Sequence, residues 1–125
     1  MFEWISTTKS PQVTMYSNNV SLNSTAANFF LNSRYCCVGI DQENLRVAIR
    51  PVTKREVDLG LVDKLQLHKI TVGSGYARVT NKEIANSINN LVKNPEEGMK
   101  FHAKFDHKEN YLVFYLKDKI IKGGG

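Results

Sequence analysis

One pattern constrains this chain above any other: it is written twice. Val13-Thr14-Met15-Tyr16 runs through Ser17-Asn18-Asn19 into Val20-Ser21-Leu22-Asn23, and Ile70-Thr71-Val72 runs through Gly73-Ser74-Gly75 into Ala77-Arg78-Val79-Thr80. Val13 and Ile70 stand 57 positions apart, as do Leu22 and Val79. Each run leads to a second hairpin signal. The first is Ile40-Asp41-Gln42-Glu43-Asn44-Leu45, and the second, Phe105-Asp106-His107-Lys108-Glu109-Asn110-Tyr111, reads as one residue longer. A short unit with one apolar face needs a partner to bury it, so tandem copies predict two halves that share a core.

The local signals fill in each copy. Strands are expected over 12–16 and 20–22, and Asn23 is placed to cap a helix over 24–31, with Ala27, Phe30 and Leu31 on one face. Strands over 35–40 and 45–50 follow. In the latter, Leu45, Val47 and Ile49 alternate with Arg46, Ala48 and Arg50, and Pro51, which has no N–H to give a ladder, is expected to end the strand. Thr53 and Glu56 have capping-box spacing for a short connecting helix stopped at Gly60. In the second copy, strands over 69–72 and 76–79 precede a helix capped by Thr80 and Glu83 that carries Ile84, Ile88, Leu91 and Val92 at helical spacing. Phe101, Ala103 and Phe105 then alternate with Lys100, His102 and Lys104. Residues 111–116 are apolar on both faces, which predicts the most buried strand. The expected fold is α+β, mainly β. Residues 1–11 form an extended lead-in, 12–52 and 68–122 the two hairpin–helix–hairpin units, 53–67 a connector with a short helix, and 123–125 a glycine tail. Trp4 and Ile5 of the lead-in are expected to cover a core edge.

The order of hairpin, short capped helix and hairpin resembles the swapped-hairpin fold of the AbrB and MraZ families of bacterial DNA-binding regulators. The closest local match is Arg78-Val79-Thr80-Asn81-Lys82-Glu83-Ile84, similar to the strand-to-helix passage of AbrB-type domains. Two chains interlock in AbrB-like proteins, whereas MraZ-like proteins carry two units in one chain. The resemblance therefore implies one pseudo-twofold swapped-hairpin barrel completed by a single chain, and it implies a regulator that binds duplex DNA.

The chemistry agrees with a binding role. The chain has 17 Lys and Arg against 12 Asp and Glu, a net charge of +5, which permits a polyanionic partner without demanding one. Arg46 and Arg50 share one strand face, Lys100 and Lys104 another, and Lys69, Arg78 and Lys82 flank the second hairpin and its helix. These seven are the candidate nucleic-acid contacts. Arg78 and Arg46 are the residues suited to bidentate reading of guanine, and residues 68–122 are expected to dominate because the first unit lacks counterparts of Arg78 and Lys82. The competing reading of the same cations is a solubilising outer face. The rival function is a protein-interaction module, adaptor or inhibitor, self-associating or meeting a protein partner through exposed strand edges or through Phe2, Trp4, Ile5, Tyr111, Phe114 and Tyr115.

Other chemistries find little purchase. Cys36 and Cys37 are adjacent and point to opposite faces of a strand, so they read as a buried small hydrophobe and its neighbour, with a vicinal redox or metal role as the alternative. His102 and His107 flank a turn without metal-ligand spacing, and no metal or cofactor is expected. Ser74 in Gly73-Ser74-Gly75 reads as a hairpin turn, not a nucleophile or phosphate loop. Asp41, Glu43, Asp106 and Glu109 read as turn residues. The expectation is a non-enzymatic protein without a small-molecule substrate. No run approaches the ~20 apolar residues of a spanning helix, and the N-terminus lacks a secretion signal, so a cytoplasmic location is expected.

Overall fold

The structure, a computed structural model, describes residues 1–2 and 10–120. Trp4, Ile5 and the glycine tail lie outside the described residues. Strand makes up 42% and helix 20%, so the mainly β expectation holds.

The first hairpin is β1 (Gln12–Met15) and β2 (Val20–Leu22), closed where Tyr16 donates its backbone N–H to the carbonyl of Asn19. The Asn23 side-chain amide oxygen then accepts from the N–H of Ala26 and caps α1 (Ser24–Ala27). The same oxygen accepts from the N–H of Gln12, and the amide nitrogen donates to the Ser10 carbonyl. One side chain thus ties a helix start to the start of β1. The expected helix to residue 31 tightens into a 3-10 turn over Asn28–Phe30. With three residues per turn, positions i and i+3 eclipse. Ala27 and Phe30 therefore stay on the buried side while Leu31 rotates outward and is 61% exposed.

β3 (Tyr35–Asp41) and β4 (Arg46–Val52) form the next hairpin. Pro51 lies inside β4, opposite Cys36, and does not end it. The outer neighbour of β4 stops pairing at Ile49, so beyond that point the free edge needs no donor and proline is tolerated. The Thr53–Glu56 capping box opens α2 (Lys54–Asp58), and Gly60 at φ 66° follows it. A 3-10 turn over Lys64–Gln66 leads to β5 (His68–Lys69), β6 (Thr71–Gly73) and β7 (Tyr76–Val79). Only Ser74 and Gly75 separate the paired Gly73 and Tyr76, with Gly75 at φ 82°.

α3 (Lys82–Asn89) is capped by Asn81, not Thr80: the Asn81 side-chain oxygen accepts from the N–H of Ile84. The helix stops short of Leu91 and Val92, whose N–H groups reach back three residues. β8 (Met99–Asp106) and β9 (Tyr111–Lys119) end the chain. Their turn has the same length as that between β3 and β4, because each places one residue in the left-handed region four positions after the aspartate: Leu45 at φ 50° and Asn110 at φ 60°. Aligning the turns on these residues removes the extra residue expected in the second. β9 alternates: Leu112, Phe114 and Leu116 are buried, whereas Tyr115 is 41% exposed, so the strand is not buried on both faces as its apolar run predicts.

Among the described residues nine strands form one antiparallel sheet in the order β5-β3-β4-β9-β8-β1-β2-β7-β6. Its first and last members are one stretch of chain interrupted at Ile70, which donates to the Arg34 carbonyl. The sheet therefore curls back on itself into a nearly closed barrel. Inside lie Val13, Met15, Leu22, Phe30, Val47, Ile49, Val79, Ile88, Phe101, Leu112 and Phe114, each at most 2% exposed. Truncating one such phenylalanine to alanine costs about 3–5 kcal/mol.

Candidate nucleic-acid interface

Every strand cation must point outward, since the interior is apolar, so the question is which side of the barrel each one occupies. Pairing answers it. Lys100 on β8 stands opposite Thr14 on β1, Thr14 opposite Ser21 on β2, Ser21 opposite Arg78 on β7, and Arg78 opposite Thr71 on β6. These five residues make one cross-strand row on the outer surface. Lys100, Arg78 and Thr71 are exposed, and Thr14 and Ser21 are half-buried. Adjacent strands lie about 4.8 Å apart, so Lys100 and Arg78 are separated by roughly 14 Å of sheet with hydroxyl groups between. The row contains donors and no acid.

Arg78 is held in place. Its guanidinium lies 5.3 Å from the centre of the Tyr76 ring, and its Nε contacts the Ser21 hydroxyl at 3.4 Å. Tyr76 in turn lies over Gly73, where an added Cβ would come within 2.3 Å of the ring. Gly73 is thus needed for close approach. The Tyr76 platform and the Thr14–Ser21–Thr71 hydroxyls escape a search for charge alone; their signal in the sequence is polar residues at alternate strand positions and a Gly-x-x-Tyr around a two-residue turn. Lys82 begins α3, three residues beyond the end of β7.

The other four predicted cations lie elsewhere. A bulge between Phe101 and Ala103 divides β8: Lys100 borders β1, whereas Lys104 stands opposite Val113 of β9. Arg46, on β4, donates from Nε to Asp41 at 2.8 Å. Hydrogen bonds from the Asn44 side chain and from Arg46 bring the Asp41 carboxyl down to about 2, and the Asp41 contact raises the guanidinium in turn. Arg50 lies 6.0 Å from the Tyr111 ring centre. Lys69, on β5, pairs with Tyr35; β5 runs on past Ile70 into β6, so Lys69 stands two residues from Thr71 where the barrel closes. Of the seven residues, Arg78 and Lys100 therefore share one row, with Lys82 just beyond the end of β7, while Arg46 and Arg50 lie on β4, Lys104 beside β9 and Lys69 where β5 runs on into β6.

Burial pushes the Cys36 thiol up to about 12 and raises that of Cys37, so both stay protonated and are poor nucleophiles. His107 packs edge-on against Phe29 and Phe105, an aromatic group that the sequence reading missed. Among the described residues no cluster of His, Cys, Asp and Glu is arranged to hold a metal ion, and no helix is long and apolar enough to cross a membrane. Comparison with protein-family models, curated proteins and solved structures finds no match to this chain.

Proposed function

We propose that this protein is a duplex DNA-binding, regulator-type protein that meets phosphates through the outer face of β8, β1, β2, β7 and β6. The observation that carries the reading is the uninterrupted donor row Lys100–Thr14–Ser21–Arg78–Thr71. Five strands span about 19 Å, wider than the ~12 Å major groove. This face meets the backbone rather than entering a groove, and binding is largely blind to sequence. Arg78, Lys82 and Lys100 supply the charge, all from residues 68–122.

The duplicated swapped-hairpin reading belongs to the same proposal, and the register supports it. A twofold relation between the copies requires equivalent residues to pair with each other wherever equivalent strands meet. Ser21 and Arg78 are 57 positions apart, the offset of the first hairpins, and they are partners in the β2–β7 ladder. Asp41 and Asp106 are 65 apart, and so are Ala48 and Val113, partners in the β4–β9 ladder. Strands of one copy also alternate with those of the other, β9 and β8 lying between the β3–β4 and β1–β2 pairs.

A second reading, the protein-interaction module, is favoured by the connector, where Leu59, Leu61 and Leu65 are 60%, 70% and 90% exposed. Fluorescence anisotropy of a labelled duplex of arbitrary sequence, titrated across salt, separates the two. Three cations predict a log–log salt slope of about −3, and Arg78→Ala or Lys100→Ala should each reduce it by about 1. Lys104→Ala should leave it unaltered. Absence of binding at about 50 mM salt, or a slope indifferent to Arg78 and Lys100, overturns the DNA reading.

A further inference from the structure

Neither a left-handed backbone nor a close contact requires glycine at position 39. It sits mid-strand in β3, exposed, and is not among the glycines at positive φ. A Cβ built there meets nothing within 4 Å. Glycine in a strand interior weakens the sheet and often marks a bulge, a bend or the close approach of a ligand or another backbone. The β3–β4 ladder runs through Gly39 without a register shift, so no bulge accounts for it. Its neighbours continue the pattern: Gly39 pairs with Ala48, which pairs with Val113, giving a cross-strand row of small side chains on an outer surface.

Around this row the surface is hollow. A depression of about 470 Å³ is floored by Gly39 and Ala48, with Arg50 and Tyr111 on one side and a lip formed by Leu65 and Gln66 of the 3-10 turn on the other. A second, of about 220 Å³, adjoins it across Gly39 and Ala48. The larger volume falls in the range of small-molecule sites, which pair an apolar lining with a few converging polar groups. Arg50 makes no salt bridge among the described residues. Glu56, the acid near Cys37 on this side, is engaged by Thr53 in the capping box.

We infer that this depression binds a small ligand consisting of a planar aromatic ring that carries a carboxylate or phosphate. The flat, nearly side-chain-free floor takes the ring, Tyr111 and Leu65 cover its edges, and Arg50 with the Gln66 amide meets the anion. The inference is independent of the DNA reading, because none of these residues lies in the Lys100–Arg78 row.

Indole-3-acetate and AMP are suitable probes, with indole-3-acetamide and adenosine as their uncharged counterparts, and the amide signal of Ala48, the cross-strand partner of Gly39, in a 15N-resolved NMR titration is the readout. At least one anionic probe should shift that signal saturably with a dissociation constant of about 1 mM or tighter, corresponding to the weak end of specific binding. Which of the two does so assigns carboxylate or phosphate. Gly39→Val should fill the floor, abolish the response and raise the melting temperature, since a β-branched residue suits a strand better than glycine. Arg50→Gln should remove the preference for anion over uncharged counterpart, and Gly39→Val should leave the salt-dependent duplex affinity intact. If Gly39→Val loses its folded spectrum, Gly39→Ala and Arg50→Gln make the same comparison. Silence of the Ala48 signal with both anions, equal binding of the uncharged counterparts, or an undiminished response in the filled variants overturns the inference.

Discussion

Replacing Asn23 by alanine isolates what one side chain contributes when it serves two elements. Asn81 is the natural control: it too caps a helix, through a single 3.1 Å bond from the Ile84 N–H. Asn23 makes the equivalent bond to Ala26 at 3.0 Å and also accepts the Gln12 N–H at 3.0 Å. Its third bond, to the Ser10 carbonyl at 2.9 Å, is exposed. Losing a cap costs about 1 kcal/mol. The half-buried Gln12 bond adds about 1 more, and the exposed bond adds little. Asn23→Ala should therefore destabilise by about 2 kcal/mol and Asn81→Ala by about 1. At an unfolding entropy of about 2.1 cal/mol/K per residue, a chain of 125 residues loses about 8 °C in the first variant and about 4 °C in the second. Asn23→Asp keeps both acceptor roles, adds a charge suited to a helix start, and should stay within about 0.5 kcal/mol of the parent. Thermal and urea unfolding of the three variants is the assay. Equal losses for the two alanine variants would refute the claim that Asn23 couples α1 to β1.

Two further expectations follow from the turns. Asn110 is exposed at φ 60°, so Asn110→Leu should cost about 1 kcal/mol for the left-handed backbone with no packing in return, while Asn110→Gly should be near neutral by urea unfolding. Asp41 is depressed from 3.8 to about 2 by Asn44 and Arg46. A lowered folded-state value means its contribution is complete above the ordinary carboxylate range and is lost as pH falls through about 2; stability of Asp41→Asn should accordingly change less than that of the parent between pH 4 and pH 2, measured by urea midpoints.

Much of the strand pattern was legible because alternation is a local signal: Val13 and Met15, Val47 and Ile49, Phe101 and Ala103 all point inward as their spacing predicts. What was not legible depended on distant chain. Pro51 is allowed inside β4 only because β9 stops pairing at Ile49, a fact held by residue 112. Thr80 and Asn81 offer equally placed oxygens for a cap, and the choice of Asn81 follows from where β7 releases the chain. Residues 112–116 contain no polar marker to reveal which of them face out, so the outward turn of Val113 and Tyr115 emerges only from the ladder with β4. Seven cations were nameable from the sequence, but that only Lys100 and Arg78 share a cross-strand row required the registers.

On the duplicated reading, the two proposed surfaces are the two places where the halves meet themselves, and their difference is a matter of divergence between copies. At the β2–β7 crossing the paired equivalents are Ser21 and Arg78, small against long, polar against charged. Around the β4–β9 crossing, Ala48 faces Val113, and Arg46 is paired with Tyr115. The 65-residue offset makes Tyr111 the counterpart of Arg46 and Tyr115 that of Arg50, so an arginine in one copy answers a tyrosine in the other. A symmetric pair of identical chains would carry arginine at both positions or tyrosine at both. Joining the copies in one chain frees each position to change alone, which is how one crossing becomes an acid-free donor row while the other keeps an aromatic rim around a floor of glycine and alanine. Substituting Arg78 should therefore disturb nucleic-acid binding and leave the Gly39 depression unaltered, because the two crossings, though each is mapped onto itself by the same operation, share no side chain.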